Sequence, residues 1–354
     1  MKGLILSGGK GTRLRPLTFT QAKQLVPVAN KPVLFYGIEA LKEAGIDEIG
    51  IVVGDTAEEI RQAVGDGSRW SVHVTYIEQE APLGLAHAVK ISRDFIQDDA
   101  FVMYLGDNIL KSGIRSLVQE FRAERPNSLI LLTPVSNPEI FGVAELEGER
   151  IVKLVEKPKQ PRSNLALVGV YMFDTHIFEA VEAIRPSWRN ELEITDAIQH
   201  LVEKGYRVHP HLVTGWWKDT GKLEDLLDAN RLILESIDAR IDGDLDENSR
   251  ISGRVIVEKG AVIRNSILRG PIIIGENTGI EDAYVGPFTS IQKDCRIRRT
   301  EIENSIILEG SRILDVGARV DESLIGRGVA ISKCPPQPSV YRFMVGDQSE
   351  ILIR

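Results

Sequence analysis

Over residues 1–235, short apolar runs alternate with stretches whose apolar positions recur at helical spacing. Gly3–Leu6 reads as a strand, about Val33–Ala44 as a helix closed by Gly45, and Ile49–Val53 as the next strand. A helix over about Ala57–Val64, a strand over Val72–Ile77, a helix over Leu85–Phe95 and a wholly apolar strand over Phe101–Leu105 continue the series. Strands alternating with helices imply βαβ crossovers, hence a mostly parallel, Rossmann-like α/β sheet covered on both faces.

From about residue 250 the pattern changes. Apolar positions recur every five or six residues, and a step of 17 links Val257, Ile274, Ile291, Leu308 and Ile325. The same step links Ile263, Ile280, Ile297, Leu314 and Ile331, and a third row runs Ile251, Leu268, Val285 and Ile302 before failing at Arg319, beside Val320. Three interleaved rows describe a chain that turns a corner after each hexad and sends one aliphatic side chain inward per face. Gly260, Gly270, Asn277 and Gly310 suit the corners. This is a hexapeptide-repeat β-solenoid of about five coils. A helix over Leu223–Ile237 is expected to lead into it, with Asp238–Asn248 as the joint, which divides the chain into domains at 1–237 and 238–354.

Composition narrows the partners. The 43 Lys and Arg against 51 Asp and Glu leave a formal charge of −8. A protein that holds nucleic acid by neutralising phosphates is therefore not expected. No apolar stretch has the length of a membrane span, no signal peptide is evident, and the two cysteines, Cys295 and Cys334, have neither disulfide-framework nor metal-ligand spacing. A cytoplasmic protein is expected.

Chemistry concentrates where strands end. The first strand runs into Gly8, Gly9, Gly11 and Thr12, followed by Arg13 and, ten residues on, Lys23 and Gln24. Glycines at the carboxyl end of a strand let backbone N–H groups approach a phosphate, although the spacing is neither a Walker loop nor a dinucleotide fingerprint. The Phe101–Leu105 strand ends in Gly106-Asp107-Asn108, and Trp216-Trp217-Lys218-Asp219 repeats an acid after apolar residues. Two such carboxylates suit one Mg²⁺ whose other ligands are substrate phosphates. Glu156-Lys157 after Ile151–Val155 suits a sugar hydroxyl and a phosphate. Singly, each feature also fits a plain turn, a solvated cation or a cap. Together they favour phosphoryl or nucleotidyl transfer.

The motifs Leu6–Thr18, Lys23–Val28, Leu105–Asn108, Val155–Pro158, Glu191–Asp196 and Trp217–Gly221 resemble, in content and order, those of the sugar-1-phosphate nucleotidylyltransferases. Within that family the likeness is to long-form glucose-1-phosphate thymidylyltransferases, whose solenoid is a left-handed parallel β-helix. The resemblance implies an Mg²⁺-dependent enzyme that joins dTTP and glucose 1-phosphate to give dTDP-glucose and pyrophosphate, acting as a homo-oligomer without membrane or nucleic acid. It also assigns roles. Arg13, Lys23, Asp107 and Asp219 would be catalytic, the two aspartates holding the metal. Gly8, Gly9, Gly11, Thr12, Gln24, Gln79 and Gly84 would hold the nucleotide, Gln79 reading the pyrimidine edge. Asn108, Gly142, Glu156, Lys157 and Gly169 would hold the sugar phosphate.

Alternatives remain within the same chemistry: UTP in place of dTTP, or another sugar phosphate. A bifunctional enzyme with an acyltransferase solenoid would need a histidine base there, and all six histidines precede residue 250. The solenoid therefore reads as a structural or assembly domain. Trp70, Trp188 and Trp216 are expected in a core or interface, and His87 is expected to pack. Arg296, Arg298 and Arg299 are expected on a solvated face, and the apolar run Val340–Val345 is expected to dock on a neighbour.

Overall fold

The structure, a computed structural model, describes residues 1–9 and 11–333. Lys10, Cys334 and the apolar run at 340–345 lie outside them. Two compact units divide the chain, Met1–Ile233 and Leu234–Arg354.

The first unit is built on a nine-stranded sheet. Strands His73–Glu78, Glu48–Val53, Lys2–Leu6 and Phe101–Leu105 lie side by side and parallel. The order then reverses direction. Leu165–Phe173 pairs antiparallel with Phe101–Leu105 and, on its other side, with Ser128–Pro134. The sheet is therefore parallel in its first half and mixed beyond it. Leu4 and Leu6 face one buried cluster and Ile5 the other, so the first strand is apolar on both faces. Helices Val33–Glu43 and Ala57–Val64 form as expected. The expected Leu85–Phe95 helix is instead broken into Leu85–Ile91 and Arg93–Ile96. Ser92 is the cause: its buried hydroxyl donates to the Ala88 carbonyl at 2.7 Å, competing for a helical acceptor. Among the described residues, no helix is long and apolar enough to cross a membrane.

The described residues of the second unit form three parallel sheets, each built from every third strand until the last coil, where the third sheet lacks a strand. Ile263, Ile280 and Ile297 stack at a step of 17, as do Val257, Ile274 and Ile291. The supposed joint is already part of this ladder: Arg240–Ile241 and Asp244–Leu245 pair with Val255–Val257 and Val262–Arg264. One other expectation changes. Ile291 pairs with Ile307, not Leu308, and Ile297 with Ile313, not Leu314. The corner after Ile302 is one residue shorter than the corner after Val285, so two faces slip together. A longer loop before Val320 returns the register, and Ile307 meets Ile325 while Ile313 meets Ile331.

Corners and interior explain why the coils stack. Gly260, Asn277, Asp294, Gly310 and Gly328 occupy one corner column, all with positive φ, the region that glycine and the short polar residues enter most readily. Gly270 meets a different demand, because a Cβ there would stand 2.1 Å from the Arg254 carbonyl oxygen. Buried hydroxyls tie one coil to the next: Thr278 Oγ1 accepts from the Cys295 N–H at 3.1 Å, and Ser266 Oγ from the Ala283 N–H at 3.1 Å. Arg298 and Arg299 both pair with Asp315 on the flank of this unit.

Ile297 sits at the centre of the aliphatic interior with 1% of its surface exposed. Ile297→Ala is expected to cost about 2–5 kcal/mol, the transfer loss plus a cavity that stacked coils cannot close. Denaturant unfolding followed in this unit measures it, and a loss below about 1 kcal/mol would refute the packing account.

Candidate active site

Backbone pairing brings the two aspartates together across 112 residues (219 − 107) of chain. Asn108–Leu110 pairs antiparallel with Trp217–Asp219, and Asp219 lies opposite Asn108. Thr220 seals the junction from its backbone N–H and its hydroxyl, both donated to the Asp107 carbonyl at 2.9 and 2.8 Å. Asn108 is buried and braced at both ends. Its Nδ2 donates to Asp107 Oδ1 at 3.0 Å, and its Oδ1 accepts from Trp217 Nε1 at 2.5 Å. Gly169 makes room for that brace, since a Cβ there would stand 2.5 Å from Asn108 Oδ1.

The charges around this junction are uneven. Lys23 Nζ forms a direct ion pair with Asp107 Oδ2. Burial opposes the charge of Asp107, yet the Lys23 ammonium and the Asn108 amide hold its carboxyl below the ordinary range. Asp219 has the opposite fate. Burial and the neighbouring Asp107 push it up to about 6, only partly offset by Lys23 and Arg13. Its Oδ1 is buried without a hydrogen-bond partner. Arg13 lies over the same spot: a Cβ on Gly221 would be 2.8 Å from Arg13 Nη2 and 3.1 Å from Asp219 Oδ1.

The glycine loop closes around the cations. A Cβ on Gly9 would stand 3.0 Å from Lys23 Cε, and Gly11, at φ +63°, would press one onto Lys23 Cβ at 2.8 Å. Thr12 then opens the short 3₁₀ turn Thr12–Leu14 that carries Arg13. Gln24 is buried with an unpartnered Oε1 and borders the cavity there. On the other side of Gly8, a Cβ would stand 3.0 Å from Gln79 Oε1. Gly84 is fixed twice, by φ +104° and by the Leu192 carbonyl oxygen 2.4 Å from where a Cβ would be. These residues line a cavity of about 350 Å³ that continues past Arg13 and Asp219 into a larger one of about 1200 Å³.

The larger cavity holds the second set. Glu156 is pushed up by burial and by Glu193, against the pull of Lys157 and Arg189. Thr195 Oγ1 donates to Glu156 Oε2 at 3.3 Å, and Arg189 Nη1 lies 3.5 Å from Glu156 Oε1. Gly142 faces the same carboxylate, a Cβ there falling 3.0 Å from Glu156 Oε2. Lys157 follows with φ +41° and its ammonium 3.8 Å from Glu156 Oε1. All the residues assigned from sequence, with the exception of Gly11 and Thr12, line one or other of these linked cavities. Those two border them through Lys23 and Arg13.

Residues 2–236 match the Nucleotidyl transferase family. This chain belongs to that family. It is 54% identical over 354 residues to a glucose-1-phosphate thymidylyltransferase of Streptomyces griseus, covering 100% of this chain and 99% of the relative. A second glucose-1-phosphate thymidylyltransferase, from Streptomyces antibioticus, is 54% identical over 356 residues and 100% of both chains. Among solved structures, a Bacillus anthracis chain in complex with a sucrose superposes with a TM-score of 0.63 at 36% identity, covering 68% of this chain and 97% of that one.

Sequence reasoning about this nucleotidyl transferase missed Arg189, Glu193 and Thr195 as individual site residues, although Glu191–Asp196 stood out as a motif. Arg189 bonds Glu191 at 2.8 Å and reaches Glu156 and Glu193, contacts that only the fold creates. Trp188 does not join a core; 84% exposed, it stands at the edge of the larger cavity. Trp70 does pack, edge-on to Phe35 at 4.8 Å. His87 packs beside Gln79, its Nδ1 3.0 Å from Gln79 Nε2.

The carboxylate pair fits Mg²⁺. Its donors are hard oxygens, one of them an orphaned buried acceptor on Asp219. The described residues contain no group of three or more His, Cys, Asp or Glu able to hold a metal alone. Mg²⁺ suits that economy, since it takes one or two carboxylates and completes its shell with water and substrate phosphates.

Asp219→Asn is expected to stabilise the protein in chelator-treated buffer at pH 7.5 by up to about 2–3 kcal/mol, the cost of holding a carboxylate ionised with a pKa near 6. The native state binds the extra proton between the ordinary carboxylate range and about 6. Wild-type stability from this group therefore falls as pH rises through that window, and the full cost remains above it. Thermal unfolding from pH 4.5 to 8 should show the two proteins converging at the acid end. A variant less stable than wild type at pH 7.5 would contradict the assignment.

Proposed function

We propose that this chain transfers a thymidylyl group from dTTP to glucose 1-phosphate, giving dTDP-glucose and pyrophosphate. The observation that carries the reading is the Asp107–Asp219 pair, flanked by Lys23 and Arg13, in a cavity lined by Gly8, Gly9 and Gly84 as well as by Glu156 and Arg189. Full-length likeness to the two Streptomyces thymidylyltransferases supports the choice of substrates.

The reaction needs no protein nucleophile, because a sugar phosphate is already an anion at neutral pH. Its oxygen attacks the α-phosphorus, and the bond to the pyrophosphate oxygen breaks. The chain must align two anions and offset charge spread over phosphate oxygens. Gly8, Gly9, Gly11 and Thr12 offer backbone N–H groups to the triphosphate, Arg13 meets the leaving phosphates, and Lys23 meets the α-phosphate. Gln24, Gln79 and Gly84 hold the nucleoside. Glu156 and Gly142 meet sugar hydroxyls, while Lys157 and Arg189 meet the sugar's phosphate. Asn108 and Gly169 keep the junction between the two ends rigid. Asp107 and Asp219 would hold Mg²⁺, which when bound neutralises phosphate charge and polarises the phosphorus–oxygen bond.

The same reading makes the protein a cytoplasmic homo-oligomer. Residues 1–237 form the catalytic domain, and 238–354 form a left-handed parallel β-helix domain with a C-terminal tail, which serves assembly rather than chemistry.

Pyrophosphate release with Mg²⁺ and glucose 1-phosphate tests it. Wild type should prefer dTTP over UTP. Arg13→Ala and Lys23→Ala should each lose about 10²–10³ in turnover. Near-normal release from either variant would sink its assigned role, and equal use of UTP would widen the substrate class.

A further inference from the structure

Gln79 is held by two internal contacts. Its Nε2 donates to the Gly84 carbonyl at 3.3 Å and lies 3.0 Å from His87 Nδ1. A backbone carbonyl only accepts, so the Gln79 atom facing it must be the NH₂ group. That fixes the second contact: His87 Nδ1 must be the lone-pair nitrogen, with the proton on Nε2. Burial and the Lys90 charge both hold His87 below the ordinary imidazole range, consistent with a neutral ring near pH 7. Both amide hydrogens of Gln79 are then used within the protein. What remains is Oε1, an acceptor turned to the Gly8 side of the smaller cavity.

We propose that His87 is a positioning residue which, by accepting from Gln79, locks Gln79 Oε1 toward the bound base and so selects bases that carry an N3–H. Thymine and uracil present that hydrogen to Oε1. Cytosine presents a lone pair at N3, and the two acceptors repel. Without the His87 acceptor only the longer 3.3 Å contact to the Gly84 carbonyl would restrain the amide, too little to keep its NH₂ group from turning to cytosine and erasing the distinction. The inference rests on the nucleotidyl-transfer reading and deepens it, by naming what sets the base class.

Three variants of the full chain separate this from simple packing. His87→Phe keeps the ring without the acceptor, and His87→Leu is a second apolar variant should the first fail to fold. His87→Asn places an amide oxygen near the position of Nδ1. Binding of dTTP, dUTP and dCTP is measured by calorimetry, and turnover separately. The apolar variants should lower the dTTP-to-dCTP affinity ratio about 10-fold or more, as expected when a fixed polar contact is lost, while the dTTP-to-dUTP ratio stays unchanged. The dTTP KM should rise with less change in kcat, and His87→Asn should restore much of the ratio. An unchanged dTTP-to-dCTP ratio in a folded apolar variant overturns the proposal, as does a wild type that binds dCTP as well as dTTP. Selective binding of dTTP without turnover would defeat the transfer reading and leave the His87 result standing.

Discussion

Two carboxylates that repel one another stand side by side, Asp107 buried and Asp219 half-buried, and the architecture around them is what makes that tenable. Leaving a buried charge uncompensated costs several kcal/mol, so the chain must supply counter-charge at the same place. Lys23 does so for Asp107 and Arg13 leans toward Asp219. Compensation is incomplete at Asp219, whose orphaned oxygen keeps it poised for a cation. The antiparallel pairing of Asn108–Leu110 with Trp217–Asp219 enforces the proximity, and the Thr220 bonds to Asp107 prevent it from relaxing.

Around that centre the Gly84 loop and the Glu191–Glu193 segment are joined through backbone bonds. Leu192 donates to the Leu83 carbonyl at 2.7 Å and accepts from the Ala86 N–H at 3.0 Å. The loop carrying Gly84 is thus bonded to the segment carrying Glu191 and Glu193, which in turn pair with Arg189. Glycines at 8, 84, 142 and 169 serve the site by absence, each leaving room for a neighbour's polar atom.

Much of this was legible in the sequence because it sits where a strand ends. Gly8, Asp107 and Asp219 each follow an apolar run, and period and punctuation mark such places. Arg189 and His87 carry no comparable signal. Arg189 lies between an exposed tryptophan and a turn, and its contact to Glu156 spans 33 residues. His87 occupies one turn of a short helix, where its eight-residue reach to Gln79 depends on the loop between them. In the solenoid, periodicity gave the architecture and its early register. It missed the one-residue slip because Ile307 and Leu308, or Ile313 and Leu314, are equally plausible interior residues by composition. The corner after Ile302 decides between them.

That short corner and the long loop that follows it act as a pair of opposite faults in a stacked lattice, one removing a lattice step and the other returning it. The third sheet ends there: its last ordinary strand is Glu301–Ile302, continued only by the single bridge to Val320. In a repeat structure, cooperativity passes from coil to coil through their interfaces. An interface with one face nearly unzipped transmits less of it. Among the described residues, the last coil is held to the one before it by two paired faces and a single bridge, where the complete coils before it are joined by three paired faces.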